Sequence, residues 1–193
     1  DFKGSQTTDN KEFYAWGAQL EAGSYPTSII NTKGSAVTRL NELSFERDDL
    51  VSKNLIGSTE FTWFYDSILF YRESGSGSSP RLQNLSNNNI FVGIYAPPVG
   101  STSLRIRHKD GTTADNTSAV TFTNGGRYKI AVKISGTTGN AYINGINVGT
   151  FTTADAIDYN KYRNAESGPN NIIDMRFYNT ALSDSELIAL TQV

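Results

Sequence analysis

Two tyrosines and an arginine stand close together in "DYNKYRN", residues 158–164. Tyr159, Tyr162 and Arg163 fall there in a long polar connection between strands, where aromatic rings have little core to hide in. A flat ring can stack on the apolar side of a pyranose, and a planar guanidinium can read its hydroxyls, so the set suits sugar binding. Packing of a long connection against the body of the domain is the plainer alternative. A second candidate lies in "SLRIRHKDG", residues 103–111. Its alternation turns Leu104, Ile106 and His108 to one side and Arg105, Arg107 and Lys109 to the other. Arg105 and Arg107 could line a groove for an acidic ligand, although a solvated sheet face would show the same pattern.

Catalytic chemistry finds no comparable set. Glycosidic hydrolysis needs two carboxyl groups flanking one bond. The acidic runs are "FERDDL" (45–50) and "LSDSEL" (182–187). The first reads as a solvated surface turn and the second as a helix start, where acidic residues meet the positive end of the dipole. A Ser-His-Asp relay would have to use His108, the single histidine, and alternation places it among apolar residues as a buried structural side chain. With no cysteine, a thiol nucleophile, a thiolate metal site and a disulfide framework are excluded, and one histidine allows no multi-histidine metal site. The chain reads as a non-enzyme.

The elements that must position these residues are strands. Of 193 residues only 37% are hydrophobic, with 17 glycines and many serines, threonines and asparagines, a balance that suits turn-rich all-β proteins. A net charge of −2 offers nothing to nucleic acid or an anionic membrane, and no apolar run approaches the roughly 20 residues that span a bilayer. "EFTWFYDS" (60–67) alternates, with Phe61, Trp63 and Tyr65 on the core side, and "ILFYRE" (68–73) reads as a further strand. "NIFVGIYA" (89–96) is apolar on both faces and stops at Pro97. "SAVTFTNGGRYKIAVKIS" (118–135) predicts two strands around an Asn-Gly-Gly turn, and Asn144-Gly145 predicts a tight hairpin. "NIIDMRFYN" (171–179) predicts a last strand with Ile173, Met175 and Phe177 inward. "LSDSELIALTQV" (182–193) predicts the one helix, with Ser183 and Glu186 as a capping box. Strands at this spacing, closed by a short C-terminal helix, predict an antiparallel β-sandwich.

"GRYKIAVKISGTTGNAYINGINVGTF" (126–151), followed by "MRFYNTALSDSELIAL" (175–190), resembles the laminin-G-like, concanavalin-type jelly-roll family. The resemblance covers roughly residues 37–193 and implies that fold. It also implies a calcium ion, held by an aspartate and backbone carbonyls at the sheet edge. Asp110 in "KDGTTADN" and Asp155 in "TTADAIDYN" are the candidate ligands, with ordinary turn chemistry at Asp110-Gly111 as the alternative. "WGAQLEAGSYPTSIINTKGSAVTR" (16–39) resembles the junction in bacteriophage tail and other virion proteins, and in some secreted bacterial carbohydrate-binding proteins. There the first part is the final strand of a preceding domain. Residues 1–36 are therefore expected to be a terminal strand and linker left from an upstream domain, and 37–193 the jelly roll.

These resemblances imply a non-catalytic module that binds cell-surface or extracellular glycans. Its setting would be the receptor-binding end of a phage tail or fibre, with a homotrimer as corollary. Alternatively it would be the carbohydrate-binding module of a secreted polysaccharide-degrading enzyme or adhesin, or a structural tip that serves assembly alone. The place of action is expected to be extracellular or on a virion.

Overall fold

A computed structural model describes residues 45–72, 80–111, 114–154, 156–164 and 170–193. The expected boundary at 36/37, the junction at 16–39, most of the Gly-Ser run after Arg72, and Asp155 lie outside the described residues. In chain order the strands are β1 (Phe45–Arg47), β2 (Glu60–Leu69), β3 (Arg81–Gln83), β4 (Ile90–Tyr95), β5 (Ser103–Asp110) and β6 (Ala114–Asn116). There follow β7 (Val120–Thr121), β8 (Gly126–Ser135), β9 (Thr138–Ile143), β10 (Ile146–Thr152), β11 (Lys161–Asn164) and β12 (Asn170–Tyr178), then the helix α1 (Asp184–Thr191).

The strands form two antiparallel sheets. One has seven strands in the order β1-β11-β3-β4-β5-β6, with β7 against the start of β5; the other has five in the order β10-β9-β8-β2-β12. Between them lie Trp63 and Tyr65 of β2, Leu82 of β3, Val92 and Ile94 of β4, Leu104 and Ile106 of β5, and Ile130, Val132 and Ile134 of β8, all essentially inaccessible. The chain is an antiparallel β-sandwich with one short C-terminal helix, as the strand spacing predicts.

Several local expectations hold. Asn144 and Gly145 take φ values of 49° and 77° between β9 and β10, the left-handed conformations of a tight hairpin. Ser183 caps α1 reciprocally: the Glu186 N–H donates to Ser183 Oγ at 3.3 Å, and the Ser183 N–H donates to Glu186 Oε2 at 2.8 Å. His108 is 2% exposed.

Others are corrected. "ILFYRE" is not a separate strand, because β2 continues through Ile68 and Leu69 in unbroken register with β8. The Asn-Gly-Gly turn does not close a hairpin: β7 pairs with β5, whereas β8 pairs with β2 and β9. Gly125, at φ 77° and donating to Leu69 O, turns the chain from one sheet into the other. Ile173 is half exposed, because a bulge between Ile172 and Asp174 breaks the alternation of β12, while Met175 and Phe177 pack on the core. "DYNKYRN" is no loop either, since residues 156–159 form a 3-10 turn and 161–164 are β11.

The outer faces of the sheets are finished differently. On the five-stranded sheet Phe64, Ala131 and Tyr142 are buried under α1, which inserts Leu187 among them. Asp66 beside them is 3% exposed and accepts two hydrogen bonds from Arg127, at 2.9 and 2.6 Å. The seven-stranded sheet turns outward a set of cationic side chains.

Candidate functional site

Alternation along β4 places Val92 and Ile94 in the core and Phe91, Gly93 and Tyr95 on the outer face; along β5 it leaves Arg105, Arg107 and Lys109 outward. Cross-strand register then lines up one row over the whole sheet. Glu46 of β1 opposes Arg163 of β11, which opposes Arg81 of β3, then Gly93, Arg107 and Asn116 of β6. A second row runs Lys161, Gln83, Phe91, Lys109, and Tyr95 opposes Arg105. Arg72, just after β2, joins the face by donating to Tyr95 Oη at 2.6 Å.

The rings of this face are roofed by guanidinium groups. Arg72 lies 4.4 Å and Arg107 5.6 Å from the Tyr95 ring centre, and Arg81 lies 5.3 Å from that of Phe91. Phe91 is only 7% exposed although no helix or sheet among the described residues covers it. Gly93 contributes no side chain, and its cross-strand neighbours stand about 4.5–5.5 Å away at Cβ level. Gly93 therefore contributes only backbone to the row, between Arg81 and Arg107 across the strands and between Phe91 and Tyr95 along one. A glycine inside a strand commonly marks a site of close approach.

Electrostatically the face is short of acid. Glu46 accepts both Arg163 and Lys161, each at 2.8 Å. No carboxylate among the described residues forms an ion pair with Arg81, Arg105 or Arg107, and the buried Nε of each has no hydrogen-bond acceptor there. Burial, followed by the positive charge of Arg163, holds the Arg81 guanidinium below its usual pKa, while Glu46 acts in the opposite sense. Crowded, partly desolvated cations with unused planar donors are an arrangement whose donors a carboxylate could satisfy and whose repulsion it could relieve.

The residues read from sequence are divided by the structure. Arg163, Arg105 and Arg107 come together on this face. Tyr159 and Tyr162 do not: both are fully buried. Tyr162 occupies the inward position of β11 and meets Trp63 and Phe177 edge-on, at 6.2 and 6.1 Å; Tyr159 meets Phe61 at 5.9 Å. Burial pushes the Tyr159 hydroxyl up to about 12 and raises that of Tyr162 as well. Neither ring offers a face for stacking: the alternation of a strand where a loop was expected turns Tyr162 inward, and Tyr159 closes the 3-10 turn against Phe61. Arg72, Arg81, Phe91, Gly93 and Tyr95 were missed, although the two-residue spacing of Phe91, Gly93 and Tyr95 is the signal that could have found them.

For a metal ion the described residues offer less. Asp110 ends β5, exposed, and Gly111 after it takes φ 102° and donates to Asn89 O, which extends the β4–β5 ladder by one pair. Among the described residues no three His, Cys, Asp or Glu side chains are grouped to hold a metal; the implied calcium site, one aspartate with backbone carbonyls, is a different donor set. Asp155 lies outside the described residues.

No protein-family model matches the chain, and no curated protein matches its sequence. Solved structures do match in shape. The carbohydrate-binding module CBM40 of the Ruminococcus gnavus IT-sialidase, bound to α2,3-sialyllactose, aligns with a TM-score of 0.53 at 16% identity, over 71% of this chain and 84% of that one. Domain 4 of the extracellular GH43 arabinanase of Geobacillus stearothermophilus, in complex with arabinotriose, gives 0.53 at 14% identity, over 72% and 69%. The leech intramolecular trans-sialidase gives 0.54 at 19%, over 78% of this chain and 26% of that one. Identities this low speak to shape alone, and the shape they share with this chain is the concanavalin-like jelly-roll sandwich.

Proposed function

We propose that the chain is a non-catalytic glycan-binding module that takes an acidic sugar on the outer face of its seven-stranded sheet. The observation that carries this is the row Arg163, Arg81, Gly93, Arg107, in which Arg81 and Arg107 flank a glycine and have no acidic partner among the described residues. In a chain of net charge −2 such a cationic strip is a local feature, and a sugar carboxylate supplies the missing acceptor. The sheet offers rings, planar donors and backbone, and the reading needs no reaction step. The fold neighbours support it, since one is a binding module solved with sialyllactose and another an arabinanase domain solved with arabinotriose.

As to setting, these neighbours favour the module of a secreted carbohydrate-active protein over the phage-tail reading. The virion setting rests on the junction at 16–39, and the narrower laminin-G-like affinity on the motifs at 126–151 and 175–190. An extracellular or cell-surface location follows from the proposed ligand.

The test is a glycan microarray with the purified chain, run with calcium and with a chelator. Sialylated or uronate-bearing glycans are expected to bind, and to be lost in Arg81→Ala and Arg107→Ala while Tyr159 and Tyr162 are left intact. Binding abolished by the chelator would bring Asp110 and Asp155 back as ligands. A blank array in both conditions would leave the structural-tip reading, and a trimer in light scattering would favour the virion setting.

A further inference from the structure

Among the described residues the sandwich is open along the side where β6 and β10 are the outer strands of their sheets. At one end of this side the Ser118 N–H donates to Val148 O at 2.9 Å and draws the two edges together. Beyond that tie they enclose a cleft of about 550 Å³, within the roughly 300–1,000 Å³ of small-ligand sites.

One wall is β10. The Thr153 N–H donates to Thr137 O on the β9 side, so by the alternation of an antiparallel ladder Thr150 and Thr152 turn their backbone groups to the free edge. A bulge between Asn147 and Gly149 sets the course of this wall, with Gly149 at φ 134° and its N–H donating to Asn147 Oδ1 at 2.9 Å. Asn116, Thr117 and Thr138 complete the polar lining. The floor is aromatic and rigid: His108 and Phe151 stack 4.4 Å apart at 17°. Phe151 is seated against Gly139, where an added Cβ would lie 2.3 Å from the ring.

We infer that this cleft is a second saccharide subsite, for an uncharged sugar residue. It holds hydroxyl, amide and edge-strand backbone groups over an aromatic floor, and the described residues of its lining include no carboxylate, lysine or arginine. That is the complement of a neutral polyol rather than of an acid. The two sites are neighbours, because Asn116 lies opposite Arg107 in the ladder and borders the cleft as well. From Gly93 to β6 is two strand spacings, about 10 Å. A glycan with its acidic residue at Gly93 would reach round the sheet edge and place a neutral residue in the cleft. The ligand class rests on the reading of the chain as a glycan binder, but the site is separate from the arginine face.

Amide shifts in NMR titrations test it, using lactose, maltotriose, cellotriose and arabinotriose as neutral probes and sialic acid as the acidic one, each to the order of 10 mM, the reach of weak binding. A neutral probe is expected to shift Thr138, Thr150 and Thr152. Asn116→Trp, an exposed substitution that fills the cleft, is expected to remove those shifts while sialic acid still shifts β4 and β5. Asn116→Ala serves as a smaller check, weakening the neutral probe and sparing the fold. Neutral probes that shift only the arginine face, or nothing, would overturn the cleft even where sialic acid binds. Cleft shifts without any response to sialic acid would uphold the cleft and sink the acidic face.

Discussion

Each sheet of this sandwich turns a row of large side chains away from the core, and the two rows end differently. On the five-stranded sheet Phe64 and Tyr142 are covered by α1 through Leu187, and the helix is held by Lys133 to Asp184. On the seven-stranded sheet Phe91 and Tyr95 are covered by the stems and guanidinium groups of Arg81, Arg107 and Arg72. The same strand grammar yields an extension of the core where an apolar helix settles on it, and the proposed receptive surface where long cationic side chains do. Long charged side chains shield apolar area while keeping their heads available, so a ligand can displace them and a helix face cannot be displaced so cheaply.

The comparison breaks most visibly at Leu187. Leu187→Ala removes a fully buried side chain and is expected to cost about 2–5 kcal/mol in urea unfolding, with binding of acidic glycans by the folded protein unchanged. Arg81→Ala or Arg107→Ala should do the reverse. Each is expected to cost about 1.5–3 kcal/mol of binding in calorimetry, the worth of hydrogen bonds to a charged group, with the melting temperature held. Weakening of wild-type binding with added salt should accompany it. Gly93→Ala sharpens the contrast further: it should lose acidic glycans while gaining about 0.5–1 kcal/mol of stability, the usual difference between the two residues inside a strand.

Acid should affect both faces, modestly. The hydrogen bond from Lys161 holds Glu46 low, the one from Lys133 holds Asp184 low, and Ser183 does the same for Glu186. A carboxyl group with a lowered pKa in the folded state stabilises above its unfolded value, and that contribution is lost as pH falls through the folded one. Urea midpoints should therefore drop below about pH 4. Glu46→Gln should blunt that drop and strengthen anion binding, whereas Glu186→Gln should blunt it and leave binding alone.

The sandwich was legible because its strands obey simple periods. Leu104, Ile106 and His108 face inward as their spacing says, and Asn144-Gly145 turns as its backbone requires. Two arginines of the outer face, Arg105 and Arg107, were legible for the same reason, and Arg163 was legible from its place beside the tyrosines. What escaped is what period alone cannot decide. "NIFVGIYA" reads as buried on both sides, and so it is, but its outer side is covered by arginines from other strands. "DYNKYRN" reads as a loop because Asn and Lys interrupt it, yet pairing with β1 and β3 makes its second half a strand and turns Tyr162 inward. The partner in the cross-strand ladder is set by topology, and topology is not local.

From Phe91 to Tyr95 in β4 and from Leu104 to Lys109 in β5, every outward residue has an odd number and every inward one an even number. Positions 91, 93, 95, 105, 107 and 109 can thus be rewritten one at a time without touching the packing at 92, 94, 104, 106 and 108. A deletion of one residue would exchange the two sets and drive arginines into the core. Descendants of this scaffold are therefore free to change what they recognise by substitution, while insertions and deletions are confined to the turns. The strand pair works as a fixed keyboard on which only alternate keys carry the message.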